Sequence, residues 1–172
     1  MVDKTEVDRW LRTYVEAWRT YDRDLIGELF AEDVEYRYHP YDDPVRGRDA
    51  VVRSWLGEEE YAGASTRDEN GTYDAVYRAV AIDGDVAVAT GSSTYFSSPG
   101  GPVQKVYDNC FVMRFDSAGR CRELTEWYVQ RPGSLGAALP DPGPLEASAW
   151  QAWAWRARLG CRRESDICCG SG

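Results

Sequence analysis

The chain has 172 residues, 43% of them hydrophobic and 13% aromatic, with a formal net charge of -9. That length accommodates one domain with material left for an appendage, and the aromatic content excludes disorder over most of it. The acidic excess lies within residues 1–132, because residues 133–172 hold four acidic and four basic side chains; such a surface repels phosphate backbones and anionic lipid, which argues against nucleic acid and membranes as partners and for a neutral or cationic small molecule.

No apolar run approaches the roughly 20 residues that span a bilayer, and the start Met1-Val2-Asp3-Lys4-Thr5-Glu6 lacks the basic-then-apolar order of a signal peptide, so a cytoplasmic location is expected. The five cysteines are unevenly placed, Cys110 and Cys121 in strand-like runs and Cys161, Cys168 and Cys169 near the end, which does not suggest a disulfide framework.

Val7, Trp10, Leu11, Tyr14, Val15 and Trp18 recur at spacings of three and four, predicting a long amphipathic helix, and Asp3 with Glu6 has the spacing of a capping box at its start. Asp22 is placed to cap a second, shorter helix carrying Leu25, Ile26, Leu29 and Phe30. A strand is expected over about 34–38, then a proline-containing loop over 40–48, then a short helix capped by Asp49 that presents Val51, Val52, Trp55 and Leu56. Residues 57–71 read as an exposed loop. From Thr72 the period becomes two, predicting strands at about 72–82, 85–96, 103–115 and 121–130 in an antiparallel meander.

Three helices followed by a long curled sheet give an α+β domain. If Ser117-Ala118-Gly119 closes the last hairpin with Gly119 left-handed, Asp116 pairs with Arg120. Tyr107, Asn109, Phe111, Met113 and Phe115 then share an inner face with Cys121, Glu123, Thr125 and Trp127. Cys110, Val112, Arg114, Leu124, Glu126 and Tyr128 fall on the other face, which is amphipathic as a dimer interface would be.

His39 is the only histidine and stands before Pro40 at the end of an aromatic strand, where the proline ends regular pairing and leaves the side chain at a rim. The catalytic reading stands beside a bland one, since a lone histidine on an aromatic strand can equally be a packed or surface residue.

The order of elements, with the texts Tyr14-Val15-Glu16-Ala17-Trp18, Leu29-Phe30-Ala31-Glu32-Asp33, Gly47-Arg48-Asp49-Ala50-Val51 and Met113-Arg114-Phe115-Asp116-Ser117-Ala118-Gly119-Arg120, resembles the SnoaL-like branch of the nuclear transport factor 2-like superfamily. The resemblance covers roughly residues 5–131. It implies a cone in which a strongly curved antiparallel sheet wraps around the long N-terminal helix, with a pocket at the open end and frequent homodimers through the sheet's outer face. Its members include polyketide cyclases, ketosteroid isomerases, epoxide hydrolases and dehydratases, so the fold alone does not give a reaction.

Laid against the ketosteroid isomerases, Tyr14 falls on their oxyanion-holding tyrosine. His39 falls on their aspartate base if one extra residue is allowed in the strand; without that gap the position is Tyr38. Their second oxyanion acid falls on Phe111, which cannot donate a hydrogen bond, and this departure argues against dienolate stabilisation of their kind.

The resulting expectation is a pocket of Tyr14, Trp18, Tyr36, Tyr38, His39, Asn109 and Trp127, suited to a small apolar cyclic ligand. His39 would act as general base while Tyr14 and Asn109 orient a substrate carbonyl or water. Ordinary core packing is an equal account of the tyrosines, tryptophans and Asn109. No carboxylate orienter for His39 is visible in the sequence. Asp42 and Asp43 lack the spacing of a metal cluster, so no metal is expected, and no nucleotide or redox motif implies a cofactor. Glu126, outward in this register, is a reserve acid that a slip of one residue would bring inside.

After Arg131-Pro132 the composition changes, giving a Pro/Gly linker over 133–144 and a Trp- and Cys-containing extension over 145–172, both following the cone domain of 1–132. The extension is expected to be a helix docking through tryptophan, an out-of-frame or added end, or a peptide modified at its cysteines. Two functions remain open: a cofactor-free acid/base enzyme of isomerase, cyclase, dehydratase or hydrolase type, or a non-catalytic module that binds a ligand or partner or carries a modified C-terminal peptide.

Overall fold

A computed structural model describes residues 2–58 and 67–132. The linker and extension expected beyond 132, with their three cysteines, lie outside the described residues, as does part of the loop over 57–71.

Helix α1 (Lys4–Thr20) starts at the expected capping box: Asp3 Oδ1 accepts from the Glu6 backbone N–H at 2.8 Å, and Glu6 Oε2 accepts from the Asp3 N–H at 2.9 Å. It ends on Tyr21, whose left-handed backbone (φ 50°) closes the helix by donating its N–H to Ala17 O at 2.8 Å. Its buried stripe of Val7, Trp10, Leu11, Tyr14 and Val15 is the one the sequence period predicts. Asp22 caps α2 (Arg23–Leu29) through the Leu25 N–H. Helix α3 (Arg48–Trp55) differs from expectation: Gly47 occupies its N-cap with φ 86° and no side-chain cap, and Asp49 lies in the first turn.

The strands are β1 (Phe30–Arg37), β2 (Val45–Arg46), β3 (Tyr73–Asp83), β4 (Val86–Phe96), β5 (Val103–Phe115) and β6 (Cys121–Gln130). They form one sheet in the order β2-β1-β6-β5-β4-β3. The predicted meander of β3 to β6 is antiparallel throughout, but β1 joins β6 in parallel, so the sheet is mixed and is not closed into a barrel. The parallel pair follows from the chain path: a helix and four further strands separate β1 from β6, so no hairpin constrains their relative direction. The class is α+β, as expected, with α1 packed on β3 and its buried stripe in the same core as the inner residues of β4, β5 and β6.

The last hairpin corrects the predicted register. Asp116 does pair with Arg120, Gly119 is left-handed at φ 78°, and Phe115 faces Cys121. Arg114 then faces Glu123, so Arg122 is an extra residue, a bulge that moves every later side chain of β6 to the opposite face. Leu124 and Glu126 point inward opposite Met113 and Phe111. Glu123 and Trp127, expected inside, are exposed, and Thr125 is half-buried opposite the outward Val112. Trp127 is therefore not a cavity residue: it stands 40% exposed on the convex side beside Cys110.

Candidate functional site

Two rows of side chains cross the concave face of the sheet and set the site. One runs Ala79, Ala89, Phe111, Glu126, and the next runs Tyr77, Gly91, Asn109, Tyr128. The small residues give the rings room. At Gly91 a Cβ would lie 1.9 Å from Val76 O and 2.6 Å from the Tyr77 ring, so only glycine lets Tyr77 lie across β4. Above these rows α1 contributes Tyr14, Trp18 and, at its cap, Tyr21, while β1 and α3 contribute Tyr36, Tyr38 and Trp55. The cavity they enclose has a volume of about 290 Å³.

Glu126 is the buried acid of this cavity. Its Oε1 accepts from Tyr14 Oη at 2.8 Å and from Tyr36 Oη, whose two oxygens lie 3.0 Å apart. Among the described residues the one buried side-chain nitrogen or oxygen without a partner is Trp55 Nε1. Among the described residues no hydrogen bond reaches Glu126 Oε2, which is not a fully buried orphan and so keeps an open side, and Glu126 lines the cavity. Burial pushes the carboxyl up to about 7, against the downward pull of the two tyrosine donors and of the His39 charge. Burial and the Glu126 charge in turn hold the Tyr14 and Tyr36 hydroxyls well above the ordinary phenol range, so both remain donors.

Asn109 is 9% exposed, and its Oδ1 accepts from Ser93 Oγ at 3.0 Å while the Tyr77 hydroxyl lies 2.9 Å from the same Oγ. The amide oxygen is thus used, which leaves the NH2 group for the cavity that Asn109 lines. Farther along β5, Lys105 Nζ lies over the rings of Tyr95 and Tyr107, at 4.5 and 5.4 Å from their centroids. Asp68 lines the cavity there as well, accepting from Trp18 Nε1 at 3.1 Å, and burial raises its carboxyl.

Of the residues expected from sequence, Tyr14, Trp18, Tyr36, Tyr38 and Asn109 line this cavity. His39 sits outside that lining, with one third of its side chain exposed. It does have a carboxylate partner, contrary to the sequence reading: Asp42 Oδ2 lies 2.8 Å from Nδ1. Its Nε2 bonds the hydroxyl of Tyr128, which lines the cavity. The sequence reading missed Glu126 as an interior group; its visible signal was the Cys-Arg-Glu-Leu text at the start of β6, where two adjacent charged residues between two apolar ones break strict alternation. Among the described residues no group of three or more His, Cys, Asp or Glu side chains is placed to hold a metal ion.

Comparison with known proteins agrees with this architecture. No curated protein matches the chain. A crystal structure of a protein from Kribbella flavida DSM 17836, named a candidate ketosteroid isomerase, superimposes with a TM-score of 0.53 at 18% identity and covers 96% of each chain. At that identity the likeness is one of fold. A family model of the SnoaL-like domain matches residues 11–124, which span α1 to the inward-turning Leu124 of β6, and the chain belongs to that SnoaL-like family.

Proposed function

We propose that the cavity is a cofactor-independent acid/base site for a small, largely apolar cyclic compound, with Glu126 as the group that moves the proton. One observation carries the reading: a buried carboxyl has one oxygen held by two tyrosines and the other turned to an aromatic cavity. A carboxyl near 7 is half ionised at neutral pH and is a stronger base than an ordinary glutamate, as proton abstraction beside a carbonyl, dehydration or isomerisation requires. Tyr14 and Tyr36 position that carboxyl, Asn109 offers its amide N–H to a substrate oxygen, and Trp18, Tyr38 and Trp55 form walls against a flat ring.

The convex face supports a homodimer as the partner reading. Val76, Val112, Trp127 and Val129 stand exposed there with Cys110 among them. Unbridged Cys110 and Cys121 suit a reducing cytoplasm.

The test uses the full chain in D2O with 2-tetralone, 2-indanone and 2-cyclohexenone, following deuterium uptake beside the carbonyl by proton NMR. Uptake by the native chain that Glu126→Gln lowers by about 10²-fold or more supports the reading. Absence of uptake from all three ketones, or full uptake in Glu126→Gln, overturns it. Saturable binding without uptake would instead favour the ligand-binding module, which the aromatic lining also suits.

A further inference from the structure

One residue of the cavity lining, Tyr128, is hydrogen-bonded to a His39–Asp42 pair outside it that no part of the proposed role of Glu126 uses. Asp42 and His39 belong to one turn beyond β1, closed by the Asp42 backbone N–H donating to His39 O at 3.1 Å. Within that turn Asp42 Oδ2 meets His39 Nδ1 at 2.8 Å, and the imidazole lies flat on Tyr41, with ring centroids 5.1 Å apart. The other ring nitrogen, Nε2, bonds Tyr128 Oη. Tyr128 lies two residues beyond Glu126 on the same face of β6, opposite Asn109, which places the two side chains about 7 Å apart along the strand.

We infer that Asp42, His39 and Tyr128 form a proton relay into the cavity, in which the Tyr128 hydroxyl meets the substrate oxygen while Glu126 works at the neighbouring carbon. The inference rests on the acid/base reading of the cavity and adds its second group. An ionised Asp42 only accepts, so Nδ1 of His39 carries a hydrogen. In the neutral ring Nε2 is then an acceptor and takes the hydrogen bond of Tyr128 Oη–H. With His39 as imidazolium, Nε2–H donates to Tyr128 Oη and frees the phenolic hydrogen to point into the cavity.

The step balances without another reactant. Glu126 as carboxylate takes a proton from the substrate carbon, and the carbon–hydrogen electron pair moves toward the substrate oxygen. That oxygen takes the Tyr128 hydroxyl proton, and Tyr128 Oη takes the Nε2 proton of His39. The substrate ends as its enol, Glu126 as the acid and His39 as neutral imidazole; the reverse sequence, or exchange with water at the exposed edge of His39, restores the start. Burial and the charges of Glu126 and Asp42 push Tyr128 up to about 12, so its hydroxyl hands on a proton only as it receives one. The charged and titratable groups facing His39 are Asp42, Tyr41 and Tyr128, with Glu126 close enough for its carboxyl to feel the imidazolium. Tyr128 is the catalytic member; His39 and Asp42 act through it.

The test reads histidine 15N NMR on the full chain, where a single histidine gives one set of signals, together with uptake from the same three ketones. Neutral His39 is expected as the Nδ1–H tautomer, the minority form of free histidine. Tyr128→Phe and Asp42→Asn are each expected to shift that tautomer and to slow uptake by about 10-fold to 10²-fold while Glu126 still titrates near its native value. Imidazole is expected to restore uptake to His39→Gly, which a purely structural role would not allow. An ordinary Nε2–H tautomer, or native uptake in Tyr128→Phe, overturns the relay and leaves Glu126 standing. A native chain without uptake overturns the acid/base reading and the relay with it.

Discussion

The floor and the rim of the cavity hold their ionisable groups in opposite settings. Glu126 is buried with two tyrosines as its hydrogen-bond donors, and burial raises its carboxyl to about 7 against the downward pull of those donors and of His39. His39 stands one third exposed between a carboxylate and a phenol, and what distinguishes it is the order of its hydrogen bonds. At the floor, proton affinity is made by desolvation; at the rim, direction is made by geometry. Substitutions at the floor should therefore move stability and titration together, whereas substitutions at the rim should move proton delivery with little change in stability.

The largest break in that comparison is Glu126→Gln, expected to remove about 10²-fold to 10⁴-fold of uptake in the ketone assay. The same change should alter stability with a definite sign. A carboxyl raised to about 7 in the fold but ordinary when unfolded binds more protons in the native state between those values, so native stability falls as pH rises through that window and is flat above it. Gln removes the charged form, so thermal denaturation should show the variant gaining on the native chain from about pH 5 to 8, by up to roughly 3 kcal/mol. A difference that does not depend on pH would mean that the carboxyl is not destabilised by burial.

Gly91→Ala tests the packing of the floor. A Cβ 1.9 Å from Val76 O forces strand or ring to shift, and a loss of about 1–3 kcal/mol is expected in urea denaturation, with Tyr77 displaced from the wall. Tyr14→Phe removes one donor to the carboxylate, and the Glu126 midpoint should rise above its native value with a stability loss of about 1–2 kcal/mol above neutral pH. At the rim, His39→Ala should change stability by less than about 0.5 kcal/mol while still slowing uptake. A large stability loss there would erase the distinction between the two regions.

The two strands of the last hairpin show how far the sequence could be read. In β5 the alternation from Tyr107 to Phe115 is unbroken, and its inner face follows from the text alone. In β6 the same rule places Cys121 correctly and then fails at Arg122, where the adjacent charged pair Arg122-Glu123 between two apolar residues is the sign of the bulge. One extra residue was enough to exchange Glu126 for Trp127 as the interior group. The parallel pairing of β1 with β6 was equally hidden, since it joins segments distant in the chain without a connecting turn. The aromatic walls were legible because their helix and strand periods are regular, and His39 was legible by its uniqueness. Its partner Asp42 lay three residues away and was passed over as a metal-ligand candidate rather than read as the far side of a turn.

The most direct test of the account is a 13C NMR titration of the Glu126 carboxyl in the full chain, assigned by comparison with Glu126→Gln. A midpoint near 7 that moves upward in Tyr14→Phe is expected. A midpoint in the ordinary glutamate range near 4 to 5, insensitive to Tyr14, would show a solvated carboxylate and contradict a poised buried acid at the floor of this cavity.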